Sequence, residues 1–313
     1  MTYPAATDVG SHARIIPADT GVVLVAMKPD GDGDAALAMG QWLAEHERSE
    51  LRIVSVMETT PIISASAAGA PALPPFVDDD EREHVIRRLR EIIGDNGHNS
   101  RASRIDLRQG SPAATITRFA REHGAGLIVI GTGSHGRIGH LIYGERVAEI
   151  VGNSETPVLI VPPDAASPIE RAMVAVDFSL ASERAAASAH RMLGRGGRLT
   201  LVHVKRAPGA DAGGAGKWDE SFGPRTSAAL ARFARTLGKT PGVRVDVDVL
   251  HGEPTEVLTT YALEHGMQLL ACGVRHHGVL EQVLSRSVTT GLIRGAHCAV
   301  LVAPAPRVDD DAA

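Results

Sequence analysis

Two strand-ending glycines carry the first chemical signal in this 313-residue chain. Gly131 closes the apolar run Leu127-Ile128-Val129-Ile130, and Gly273 closes Leu269-Leu270-Ala271-Cys272. The carboxyl end of a buried parallel strand is where an open α/β sheet holds a small ligand. Asp177 follows Val174-Ala175-Val176 and puts a carboxylate at the same kind of position. Ser134 beside His135 has the residue types of a nucleophile and its base. Thr132, however, stands where the nucleophile elbow Gly-x-Ser-x-Gly needs its first glycine. His135 with His140, and His276 with His277, have no cysteine or carboxylate at ligand spacing, so no metal is expected. Ser179 reads as a helix cap in preference to a ligand group.

The elements that position these residues occur twice. Glu122-His123-Gly124 returns as Glu264-His265-Gly266, and Val158-Leu159-Ile160-Val161-Pro162 as Val300-Leu301-Val302-Ala303-Pro304. Gly110-Ser111-Pro112 returns as Gly252-Glu253-Pro254, and every pair is 142 residues apart. A period this long means two copies of a domain, because solenoid repeats are shorter. Each copy alternates short apolar runs with amphipathic stretches, which predicts parallel strands joined by right-handed helical crossovers.

In the first copy the strands are predicted over Gly21–Met27, Leu51–Met57, Arg104–Leu107, Leu127–Ile130 and Val158–Val161. The helices are predicted over Asp32–Glu47, from Asp78 through Ile93, from Pro112, and over 140–152. Ser111 is expected to cap the helix that Pro112 opens. In the second copy the strands are predicted over Ala172–Val176, Arg198–Val204, Val243–Leu250, Leu269–Cys272 and Val300–Val302. The helices are predicted over Leu180–Leu193, Ser221–Leu237, 254–265 and 281–294. Residues 58–77 are rich in small residues and proline, as a flap or an irregular insert would be. The division that follows is a tail over 1–19, a domain over 20–163, a linker over 164–169, a second domain over 170–305 and a tail over 306–313.

Composition removes several classes. The formal charge of −5 argues against binding driven by nucleic-acid phosphates. No run of eighteen apolar residues exists, so no membrane span is expected. The N-terminus lacks a basic region followed by an apolar stretch, which disfavours a secretory signal. Cys272 is expected to end one strand and Cys298 to precede another. Both read as reduced structural thiols, in keeping with the cytoplasm.

Gly131, then Gly144 thirteen residues on, then Pro157-Val-Leu-Ile-Val-Pro162, resembles the universal stress protein family. So do the Val174-Ala175-Val176-Asp177-Phe178-Ser179 opening of the second copy and the Gly-x-Pro turns. The resemblance covers both copies. It implies two tandem five-stranded parallel-sheet, Rossmann-like α/β domains with strand order 3-2-1-4-5 and helices on both faces. It further implies that the domains pair through their fifth strands as a pseudo-dimer. A homodimer and an unidentified protein partner stay open.

The resemblance also implies a nucleotide motif, Gly-x2-Gly-x9-Gly-Ser/Thr. Its glycines let backbone N–H groups approach phosphates, and an Asp at the end of the first strand faces the adenosine. The first copy keeps Gly131 and Gly144, flanked by Gly133, Ser134 and Gly136, but has Glu145 at the hydroxyl position and Lys28 in place of the Asp. The second copy keeps Asp177, Gly273 and Ser287, but has His276 and Arg286 where glycines belong. The implied cofactor is ATP or AMP, or none. The implied role is a non-enzymatic, cytoplasmic stress-response or regulatory module. A nucleotide-independent interaction or protective module is the alternative. A slow ATPase ranks last, since no Walker lysine or Mg²⁺-binding carboxylate pair is evident.

Overall fold

The computed structural model describes residues 21–30, 33–58, 79–95, 104–132, 139–205, 222–238, 240–274 and 288–305. The first half runs β1 (Val22–Met27), α1 (Asp34–Glu47), β2 (Glu50–Met57), α2 (Asp79–Asp95), β3 (Arg104–Gln109), α3 (Pro112–Glu122), β4 (Leu127–Gly131), α4 (Gly139–Asn153) and β5 (Val158–Val161). The second half runs β6 (Arg171–Ala175), α5 (Leu180–Arg191), β7 (Arg198–Lys205), α6 (Phe222–Thr236), β8 (Arg244–His251), α7 (Pro254–Glu264), β9 (Leu269–Val274), α8 (Val288–Gly295) and β10 (Ala299–Pro304).

The strands form one ten-stranded sheet in the order β3-β2-β1-β4-β5-β10-β9-β6-β7-β8. Within each half the order is 3-2-1-4-5 and all pairings are parallel. The seam is antiparallel, with Leu301 opposite Leu159 and Val302 opposite Val158. β4, β5 and β10 are continuous apolar runs buried on both faces, as central parallel strands must be. The outer strands β3 and β8 alternate with charged residues and are half-exposed.

Two apolar layers sandwich the sheet. One joins α1, α2, α5 and α6 to it, through Leu37, Leu89, Ala186 and Leu230. The other joins α3, α4, α7 and α8, through Phe119, Val147, Leu258 and Leu292. The expected inner faces are found. Ala36, Met39 and Leu43 of α1 and Val85, Leu89 and Ile93 of α2 are buried, while Trp42, Ile86 and Ile92 pack at the margin.

The Gly-x-Pro turns sit where the chain leaves β3 and β8. Gly110 and Gly252 have φ of 131° and 139°, and their N–H groups donate to the carbonyls of Met57 and Lys205. Only glycine adopts that conformation without strain.

Several expectations need correction. Ser111 occupies the cap position of α3, but its side chain makes no capping bond; Pro112 opens the helix unaided. Cys272 lies inside β9 and does not end it, because the strand continues through Gly273 to Val274. The last helix is described from Val288, and residues 281–287 lie outside the described residues, as do both tails and residues 59–77.

Candidate functional site

Each half opens a cleft at the carboxyl ends of its strands. The first has a volume of about 380 Å³ and is lined by the ends of β1, β2 and β4 with α3 and α4. Gly131 is on its wall, beside Ile116 and Lys28. Arg146 of α4 reaches across to Glu58, just beyond β2. Two guanidinium nitrogens meet the two carboxylate oxygens, Nη2 to Oε2 at 3.0 Å. This fork-to-fork geometry is the arrangement by which arginine also takes a phosphate. Both side chains are about half-exposed, so the pair contributes little to stability and is open to exchange. The loop after β1 is held from outside by Arg88, whose Nε donates to the carbonyl of Asp30 at 2.9 Å. Thr132, next after Gly131, has a buried hydroxyl with no hydrogen-bond partner.

The second cleft, about 200 Å³, is lined by the equivalent ends of β6, β7 and β9 with α7 and α8. Asp177 is on its wall. One oxygen of that carboxylate accepts from the backbone N–H of Ser179, at 3.0 Å, and from its hydroxyl. Ser179 in turn caps α5, accepting from the N–H of Ser182. The helix cap read from the sequence is therefore present, and it ties Asp177 to the start of α5. Between them Phe178 sits at φ 61°, a left-handed conformation uncommon for a bulky residue. Its ring packs on His203 at 5.1 Å, and His203 Nδ1 donates to the carbonyl of Val176 at 2.7 Å. Burial pushes the Cys272 thiol up to about 12, with the Asp177 charge adding in the same direction. It is an inert wall group and not a nucleophile.

The two glycines, Gly131 closing β4 and Gly273 one residue short of the end of β9, differ in what they permit. A Cβ on Gly273 would lie 2.5 Å from the backbone of Ala181 and Ser182, so α5 can approach β9 only over a bare backbone. A Cβ on Gly131 would find its nearest neighbours, Ala36 and Gly33, at 3.4 Å. Packing thus explains Gly273 and leaves Gly131 without a comparable structural demand.

Of the other site residues read from the sequence, Gly144 falls in the first half of α4. Gly133, Ser134, Gly136 and Ser287 lie outside the described residues. Sequence reasoning missed Glu58, Arg146, Phe178 and His203. Arg146 carries a usable signal: it follows Gly144 by two residues, in the helix that leads on from the glycine loop. Glu58 carries none, being 88 residues away from it. Among the described residues no group of three or more His, Cys, Asp or Glu could hold a metal ion. Nor is any helix there long and apolar enough to cross a membrane.

A family model described as the universal stress protein family matches residues 20–162 and again 168–304. Stress response protein NhaX of Bacillus subtilis is 31% identical over 87 residues, 28% of this chain and 51% of that protein. The match thus spans about half the length of that relative. Universal stress protein MJ0531 of Methanocaldococcus jannaschii is 23% identical over 119 residues, 38% of this chain and 68% of that protein. Among solved structures, a universal stress protein from Archaeoglobus fulgidus superposes with a TM-score of 0.61 at 16% identity, covering 90% of this chain and 96% of that one. One from Pseudomonas aeruginosa gives 0.62 at 14%, covering 92% and 95%. These likenesses show the fold.

Proposed function

From the premise that the chain belongs to the universal stress protein family, with two of its domains in tandem, we propose that it is a non-enzymatic stress-response module of the cytoplasm whose first cleft takes an adenine nucleotide, ATP or AMP. One observation carries this reading. A 380 Å³ cleft at the end of β4 has Gly131 on its wall, with Lys28 and the exchangeable guanidinium of Arg146 beside it. That volume lies in the range of small-molecule sites. Two cations compensate for the motif's missing hydroxyl beside the glycine loop that opens at Gly131. The second site, with Asp177, Gly273 and Ser287, is the weaker of the two. Its cleft is smaller, and Asp177 already accepts two bonds from Ser179. The β5–β10 seam is the working contact between domains over 20–163 and 170–305.

Calorimetric titration of the full chain with ATP, ADP and AMP tests the proposal. One bound nucleotide per chain is expected, weakened by Arg146→Val. Absence of heat at millimolar ligand sinks it. A second reading, a nucleotide-independent interaction module, draws support from the same contacts. Glu58 grips Arg146 and Ser179 grips Asp177, so both clefts place charge against charge or donor within the chain.

A further inference from the structure

A cavity larger than either sheet cleft lies apart from both. About 620 Å³ opens where the halves meet, between the C-terminal turns of α3, the segments entering β4 and β5, and one side of α5. Its wall carries four guanidinium groups, Arg118 and Arg121 from the first half and Arg184 and Arg191 from the second. One carboxylate, Glu155, shares the wall. Two more approach from outside it. Glu122 Oε1 is 3.7 Å from Arg118 Nε, and Glu47 Oε1 is 3.9 Å from Arg191 Nε. Both distances exceed hydrogen-bond range, so these contacts leave the guanidinium donors uncommitted.

Arg184 donates one bond, to the Pro304 carbonyl at 3.2 Å. Burial, and next the like charge of Arg191, disfavour its protonated form, with Glu155 acting the other way. Two cations seven residues apart on one helix are thus held together at a partly buried surface. Between them stands Ser188. It is 1% exposed, its hydroxyl has no hydrogen-bond partner, and it lines the same cavity. A buried hydroxyl without a partner is rare enough to need a reason.

The duplication supplies a control. α5 corresponds to α1 at an offset of 149 residues, so that buried Ala185 and His190 match buried Ala36 and Gln41. α7 corresponds to α3 at 142. On the other side of the seam, Arg184, Ser188 and Arg191 therefore become Ala35, Met39 and Trp42, and Arg118 and Arg121 become Thr260 and Leu263. At these five positions the equivalent junction carries no arginine, although the Arg171 guanidinium packs over Gly266, the counterpart of Gly124, so the frame does not require the cluster of four.

We infer that this interdomain cavity is a binding site for a small polyanion, a metabolite carrying two or more phosphate or carboxylate groups, separate from the nucleotide clefts. Guanidinium forks from both halves grip its anionic groups, and the Ser188 hydroxyl donates to one of them. The volume suits a small metabolite. Because the grip comes from both halves, occupancy tightens the β5–β10 seam.

The test is calorimetry on the full chain with pyrophosphate and, separately, with citrate, alongside thermal melting. At least one probe should bind and raise the melting temperature, and the preferred probe tells phosphate from carboxylate. Arg118→Gln with Arg121→Gln changes only exposed side chains. It should weaken binding about tenfold or more while leaving the unliganded melt in place. Arg146→Val should leave pyrophosphate binding intact. Silence from both probes at millimolar concentration overturns the inference, as does unchanged affinity in the double variant. Should pyrophosphate instead be lost in Arg146→Val and kept in the double variant, the anion sits in the first sheet cleft. The inference then fails while the nucleotide reading stands.

Discussion

At the ends of β4 and β9 the same backbone presents two different chemistries. Position by position the two clefts match: Gly131 with Gly273, Ile130 with Cys272, Pro112 with Pro254, Ile116 with Leu258. Lys28 and Arg146 then stand against Asp177 and Val288. One cleft is roomier and sets Lys28 and Arg146 among the carboxylates of Asp30 and Glu58; the other carries Asp177 without a lysine or arginine on its wall and has about half the volume. Duplication preserves what holds the sheet together and releases what points into the cleft. A wall residue touches few neighbours and can change charge cheaply, while a β4 or β9 residue is enclosed on both faces and cannot.

The glycine pair offers the largest effect. Gly273→Ala drives a methyl into the first turn of α5, 2.5 Å from its backbone, and backbone yields less readily than a side chain. It should cost about 2–3 kcal/mol. Gly131→Ala meets ordinary contacts at 3.4 Å and should cost under ~1 kcal/mol. Urea midpoints of the two variants decide the matter. Equal losses would show that both glycines serve packing, and would remove the argument that Gly131 is kept for a ligand.

That distinction marks the limit of the sequence. The 142-residue echo and the uninterrupted apolar runs made the duplication and the parallel strands legible, because strands buried on both faces are apolar throughout, while the strand order was implied by the family resemblance. Asp177, Gly131 and Gly273 were legible as site candidates because they follow apolar runs, and Ser179 was legible as a helix cap. The Glu58–Arg146 pair was not, since it joins β2 to α4 across 88 residues. The different demands on Gly131 and Gly273 were also hidden. Both follow a four-residue apolar run, and the approach of α5 is what separates them. The arginines of the junction are drawn from two halves that local patterning treats separately.

A second difference should appear in alkali. Cys272 takes the place of Ile130, and burial pushes its thiol up to about 12. Cys298, before β10, is pushed up to about 11, also by burial. The folded state keeps both protonated, while the unfolded chain releases the protons near 9. A raised folded pKa gives stability that is whole below that lower value and is lost as pH climbs towards the upper one. Each thiol should contribute a decline of about 1.4 kcal/mol per pH unit within its window. Cys272→Val, which moves the site towards its first-half counterpart, should flatten the decline measured by urea unfolding between pH ~9 and ~11. An unchanged slope would place the alkaline sensitivity elsewhere and remove this contrast.

The cation contrast is tested by exchange. Arg146→Val gives the first cleft the residue that the second has at Val288, and should reduce ATP affinity about tenfold, or about 1.4 kcal/mol. Val288→Arg offers the second cleft the missing fork. If ATP binds the wild type and the first change has no effect, the two clefts are not distinguished by this arginine. The first cleft must then hold its ligand through Lys28 and backbone donors.

The smallest effect concerns the serines that open α5 and α3. Ser179 accepts from the N–H of Ser182 and also donates to Asp177. Ser111 makes no capping bond, and Pro112 leaves its helix one fewer N–H to satisfy. Ser179→Ala should therefore cost about 1 kcal/mol, and Ser111→Ala less than ~0.3 kcal/mol. The first change has a further consequence that the second lacks. It removes the hydroxyl donor to the Asp177 carboxylate, leaving the Ser179 backbone N–H in place. If the acidic cleft is closed to nucleotide because Asp177 is held this way, Ser179→Ala should lower stability and yet raise nucleotide binding in the second half. Loss of stability with no gain in binding would mean that the narrow walls keep the second cleft empty. Its asymmetry with the first would then be one of volume before charge.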